Sequence, residues 1–101
     1  MLIFNTTYVV SDKVHGQWIK WVREEHIPFM LSSALLSRPQ VAKVIGAEDQ
    51  DGTSYSVQFH VKDMTALEEW HIKYSNQMEQ NVYEKFGTDA LIFATILEII
   101  E

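Results

Sequence analysis

Cysteine is absent from the 101 residues, which removes disulfides, thiolate nucleophiles and cysteine zinc sites together. Basic residues are scarce: 8 Lys and Arg stand against 14 Asp and Glu, a formal charge of -6. A phosphate backbone is held by clustered Lys and Arg, so nucleic acid is not expected as a partner. No apolar run approaches the roughly 20 residues that span a bilayer. Met1–Val10 carries Asn5, Thr6 and Thr7 without a basic leader segment, so a cytoplasmic protein without a membrane partner is expected. With 2 prolines and 4 glycines, no linker or low-complexity tract forms. What is present, 47% hydrophobic and 22% charged residues, is the balance of a globular protein. The length suits one core, so residues 1–101 are read as a single domain.

Leu2–Val10 is rich in β-branched and aromatic residues and reads as a strand. Ser11 and Asp12 supply N-cap chemistry ahead of Val14, Trp18, Trp21 and Val22, whose spacing of three and four puts them on one helical face. Pro28 is expected to interrupt that helix, because it lacks an N–H and disfavours helical geometry at Ile27. A short turn, Pro28–Ala34, then continues at an angle. A second strand is expected over Val41–Glu48, a reverse turn at Asp49-Gln50-Asp51-Gly52, and a third strand over Thr53–Val61. In the third strand Tyr55, Val57, Phe59 and Val61 point one way, and Ser54, Ser56, Gln58 and His60 the other. Thr65 and Glu68 have capping-box spacing, and Leu67, Trp70, Tyr74, Met78, Val82 and Phe86 continue an apolar stripe up to Gly87. Glu69 and Lys73 form an i,i+4 pair on its solvated side. Leu91–Ile100 is a fourth strand.

Strand, helix, hairpin, helix, strand is the order of the ferredoxin-like βαββαβ fold, an α+β architecture with helices on one face of a four-stranded antiparallel sheet. If the other face met only water, the last strand would alternate apolar and polar residues. Instead Leu91, Phe93, Leu97 and Ile99 on one side, and Ile92, Ala94, Ile96 and Ile100 on the other, are all apolar. Exposed side chains of this kind invite association, and a second copy of the chain is the simplest cover. A homodimer is expected.

Trp18, Trp21, Glu25, His26 and Pro28 form a W-x-x-W-x-x-x-E-H-x-P pattern that resembles the first helix of dimeric α+β barrel proteins. With Asn5-Thr6-Thr7-Tyr8 and Lys85-Phe86-Gly87, nearly the whole chain resembles a family of short bacterial proteins of unknown function in that antibiotic-biosynthesis-monooxygenase-like superfamily. The resemblance implies a barrel made from two sheets. It transmits no single activity, because the superfamily includes monooxygenases, haem-degrading enzymes, isomerases and ligand-sensing domains. Asn5 with Trp70 also resembles part of the haem-degrading constellation. The ligating histidine of those enzymes has no counterpart here, since Gln80, Asn81 and Val82 occupy its neighbourhood, and no cofactor is expected.

The four histidines, His15, His26, His60 and His71, are too widely spaced for a local zinc motif, so no metal site is expected. His26, beside Glu25 and ahead of Pro28, is a catalytic candidate as an acid or base near neutral pH. Its structural alternative is a helix C-terminus, where histidine bonds the last carbonyls. His60 is the other catalytic candidate. Asn5, Gln58 and His60 are polar residues on strands expected to be central, where an unpartnered polar group is costly. They line a pocket or the wet middle of a dimer interface, and the side taken by Asn5 depends on an unfixed register. Trp70 and Tyr74 join them as an aromatic wall for a flat ligand, or else belong to the core.

The leading expectation is a homodimer that binds a small, partly apolar molecule between sheet and helices at Asn5, Gln58, His60, Trp70 and Tyr74. One alternative is a cofactor-independent monooxygenase or isomerase acting on an aromatic or quinone-like substrate. The other is a structural or regulatory dimer without a ligand.

Overall fold

Strand β1 (Leu2–Ser11) lies at the centre of the molecule and alternates along its length: Phe4, Thr6, Tyr8 and Val10 are buried, while Ile3, Asn5, Thr7 and Val9 are half-buried. That period of two assigns one set to each face of a sheet. The computed structural model describes residues 1–46 and 52–101. The sheet has the order β2-β3-β1-β4, with β2 at Leu36–Lys43, β3 at Gly52–Val61 and β4 at Ala90–Glu98. Each neighbouring pair is antiparallel. This is the ferredoxin-like arrangement expected from the element order. The reverse turn at Asp49-Gln50-Asp51-Gly52 lies outside the described residues, except that Gly52 opens β3, and β2 ends at Lys43, short of the expected Glu48. No larger residue fits there, since a Cβ on Gly52 would stand 2.8 Å from the Val10 carbonyl oxygen.

Helices α1 (His15–Trp21), α2 (Ile27–Leu31) and α3 (Met64–Phe86) pack on one face. The core lies between this layer and Phe4, Tyr8, Val10, Val57, Phe59 and Val61 of the central strands. As expected, Tyr55, Val57, Phe59 and Val61 are the buried set of β3. On α3 the stripe Leu67, Trp70, Met78, Val82 and Phe86 is buried; Ser75 is also buried, and Tyr74 is left half-exposed. Gly87, at φ 58, ends the helix in a conformation that favours glycine. The pair Lys73–Glu69 forms at 3.3 Å on the outer side.

Three local expectations are corrected. Pro28 does not interrupt the first helix. A π-helical stretch, Val22–His26, joins α1 to α2, and the Ile27 N–H reaches back to the Val22 carbonyl. Ile27 stays helical at φ -60, ψ -47, so the wider turn admits the proline ring where a regular turn would clash. Second, β2 begins five residues early, at Leu36, and contains Pro39. It is an edge strand with a register shift between Ser37 and Gln40, where a missing N–H is tolerated, and Arg38 at φ 51 turns the chain. Third, the N-cap of α3 is Asp63, whose Oδ1 accepts the Ala66 N–H at 2.9 Å; Thr65 is already inside the helix. No helix among the described residues is long and apolar enough to cross a membrane.

Candidate functional site

The sheet separates the five residues expected to line one pocket. Asn5 is paired with Gln58 on β3 and Thr95 on β4, and His60 with Ile3 and Ser37. All of these lie on the face away from the helices, as the opposite phase to buried Phe4 and Phe59 requires. Trp70 and Tyr74 lie on the helix side. The structure therefore unites Asn5, Gln58 and His60, unites Trp70 and Tyr74, and does not bring the two sets together. The Asn5–Trp70 pairing suggested by resemblance to haem-degrading proteins is likewise split across the sheet.

On the open face the polar side chains satisfy one another. The Ser56 hydroxyl donates to Asn5 Oδ1, Asn5 Nδ2 donates to Thr7 Oγ1 at 3.2 Å, and Gln58 Nε2 donates to Ser56 Oγ at 3.1 Å. Beside this network, β4 presents Leu91 and Phe93, each 56% exposed, and Leu97. The result is a polar centre with an apolar flank.

On the helix side an apolar groove of about 590 Å³ runs between α3 and β4. Phe4, Leu67, Trp70, Met78, Ala94 and Ile96 line it, with Glu68, His71 and Glu79 also at its walls. Ala90 is buried and Ile92 is partly buried against the core, while Ala94 and Ile96, farther along the same face, are exposed. Trp70 packs on Phe4 with ring centroids 5.0 Å apart, and its buried Nε1 has no hydrogen-bond partner. This N–H is sealed in the core beneath the groove, without a partner among the described residues.

His26 is neither exposed nor at a helix end. It is 2% exposed, stacked on Trp21 at 4.8 Å, and its Nε2 is 3.0 Å from the Tyr8 hydroxyl. Burial lowers its pKa from 6.5 to about 4 and raises that of Tyr8, so both are neutral near pH 7. The π-helical stretch ending at His26 gives the ring its inward position. His60, the other catalytic candidate, stands far from this pair on the open face. Neither histidine lines the groove.

The sequence reading missed Tyr8 as the partner of His26, and Leu67, Met78 and Ile96 as groove walls. Tyr8 follows Phe4 by four residues on β1 and so shares its face. That signal was present, but both faces of β1 mix apolar and polar residues, leaving their sides open.

A family model described as a domain of unknown function (DUF4286) matches residues 1–100. Two solved structures have a similar fold: a candidate antibiotic biosynthesis monooxygenase from Deinococcus radiodurans and a dimeric ferredoxin-like protein from an uncultured marine organism. Each is 14% identical to this chain with a TM-score of 0.68, over 100% of this chain and 94% and 96% of theirs. At that identity the likeness is one of fold. No curated protein matches the sequence.

Proposed function

The chain belongs to the DUF4286 family, and we propose that it binds a small, partly apolar molecule in the groove between α3 and β4, as a homodimer joined through the open face of its sheet. The groove carries the binding half of this reading: about 590 Å³ of mainly apolar space with Glu68, His71 and Glu79 at its walls. Ligand pockets combine an apolar lining with a few polar groups in this way. The ligand class that fits is a small, largely apolar body bearing one polar group at the groove's charged rim.

The dimer half rests on β4. Its two apolar sides have different explanations: Ala94 and Ile96 serve the groove, while Leu91, Phe93 and Leu97 flank the open face. Removing those three side chains from water contributes several kcal/mol at about 25 cal/mol per Å². Apolar anchors beside self-satisfied polar groups make a surface suited to a protein partner.

The groove is tested by titrating the protein with small bicyclic aromatics bearing one polar group, 2-naphthol first, while following methyl resonances. Shifts are expected at Leu67, Met78 and Ile96 and should vanish in Ala94→Trp, which fills the groove from an exposed strand position. No shift with any such probe at about 1 mM, a concentration that reveals even weak binding, would sink the proposal.

A second reading, a cofactor-independent monooxygenase or isomerase acting on an aromatic or quinone-like substrate, draws on the Deinococcus radiodurans neighbour and on His71, the one histidine among the groove's lining residues. It requires that His71→Asn abolish turnover while probe binding survives. Undiminished turnover in that variant would remove His71 as the proton carrier.

A further inference from the structure

The Tyr8–His26 pair adjoins a second, smaller cleft separate from the groove. Trp21, Glu25, His26, Asn81, Glu84 and Lys85 enclose about 360 Å³. Two stretches that stand out in the sequence, Trp18 to Pro28 and Lys85-Phe86-Gly87, meet here from opposite halves of the chain. Phe86 packs edge-on against Trp21 at 5.4 Å, which holds the last turn of α3, and with it Lys85, against the first helix.

A neutral imidazole has one N–H and one lone pair. If the Tyr8 O–H donates to His26 Nε2, both groups are satisfied and the ring hydrogen sits on Nδ1; the reverse arrangement would strand the tyrosine hydrogen. His26 Nδ1 has no partner among the described residues, and it is not one of the sealed unpartnered atoms, which are Thr6 Oγ1, Trp18 Nε1 and Trp70 Nε1. Its N–H therefore faces the cleft that the ring lines. On α3, Asn81 Oδ1 accepts from Gln77 Nε2 at 2.7 Å and Glu84 Oε1 accepts from Gln80 Nε2 at 3.0 Å. The amide nitrogen of Asn81 stays free. The ion pairs among the described residues are Lys13–Asp89 and Lys73–Glu69, so Lys85 and Glu25 are both unpaired in them.

One small hollow thus holds a buried N–H donor, an unpaired ammonium and an unpaired carboxylate. A simple anion would be repelled by Glu25 and Glu84, and a simple cation by Lys85. No group of three or more His, Asp or Glu side chains converges to hold a metal ion among the described residues. We propose that this cleft binds a small zwitterion of the free α-amino-acid class, its carboxylate taken by Lys85 and the His26 Nδ1–H and its ammonium by Glu25. His26 acts in it as a neutral, fixed donor, held in place by Tyr8 and Trp21.

The test is titration of the full chain with individual L-amino acids by nitrogen-15 NMR, with propionate and propylamine as single-charge controls. At least one amino acid should shift the His26 ring and Asn81 side-chain resonances, and both controls should bind roughly tenfold or more weakly, as expected when a charge-assisted bond is lost. Lys85→Gln and Glu25→Gln alter exposed side chains outside the core; each should weaken binding by a similar factor with an unchanged melting temperature. Equal binding of propionate or of propylamine would overturn the zwitterion assignment. So would undiminished binding in either variant, or no response to any amino acid at about 10 mM, a weak-binding ceiling.

Discussion

The two faces of the sheet are made by the same four strands yet treat polar side chains in opposite ways. On the helix-covered face polar atoms are few and isolated. The Tyr8 hydroxyl and His26 Nε2 satisfy each other, while Thr6 Oγ1 and the indole nitrogens of Trp18 and Trp70 go without partners among the described residues. On the open face Asn5, Thr7, Ser56 and Gln58 form a continuous network, half-buried and self-contained. The first face is a core that tolerates a few polar atoms at a cost; the second is a surface already prepared to lose water. An Asn or Gln on a strand therefore has no fixed meaning until its face is known.

The two faces should differ most when side chains are removed from the covered one. Trp18→Ala removes a fully buried ring and should cost about 3–5 kcal/mol in chemical denaturation, whereas Gln58→Ala on the open face should cost under about 1 kcal/mol beyond any change in association. Equal losses would erase the distinction. The next effect is pH-dependent. His26 has a folded pKa of about 4 against an ordinary 6.5, so between those values the unfolded chain binds a proton that the folded chain refuses. Stability should fall as pH drops below 6.5, with the His26 share, about 3 kcal/mol, fully lost below about pH 4. His26→Phe, which does not titrate, should flatten that part of the profile. A profile identical to wild type would contradict the burial argument.

Smaller still, Tyr8→Phe leaves His26 Nε2 without its donor and should cost about 1–3 kcal/mol, while Thr7→Val on the opposite side of the same strand should cost less. The smallest effect lies outside both faces. Ala34 has φ 61, a left-handed conformation that glycine adopts freely, so Ala34→Gly should raise stability by up to about 1 kcal/mol. A loss there would show that the turn is not strained.

The architecture was legible because its signals are periodic and redundant. The alternation of Thr53–Val61 and the stripe from Leu67 to Phe86 each repeat several times, and the strand order then admits few topologies. The site was less legible because it depends on single offsets. Asn5 and Tyr8 differ only in strand phase, yet that phase puts one on the open face and the other against His26. The Pro28 rule failed because a π-helical turn, which leaves no mark in residue spacing, absorbed the ring. Pro39 similarly required a register shift invisible to pattern alone. The apolar last strand pointed correctly to two faces needing an explanation, but only the packing of α3 shows that one of them is a groove.

The claim that the open face is made for a second copy is tested most directly by sedimentation equilibrium at micromolar concentration, on the wild-type chain and on Phe93→Asp. Phe93 stands opposite Thr7 on that face, and a carboxylate there would be buried without a partner across a dimer interface. The wild type should sediment at twice the chain mass and Phe93→Asp at the chain mass with its fold intact. A wild-type monomer, or a Phe93→Asp dimer as tight as the wild type, would contradict the account.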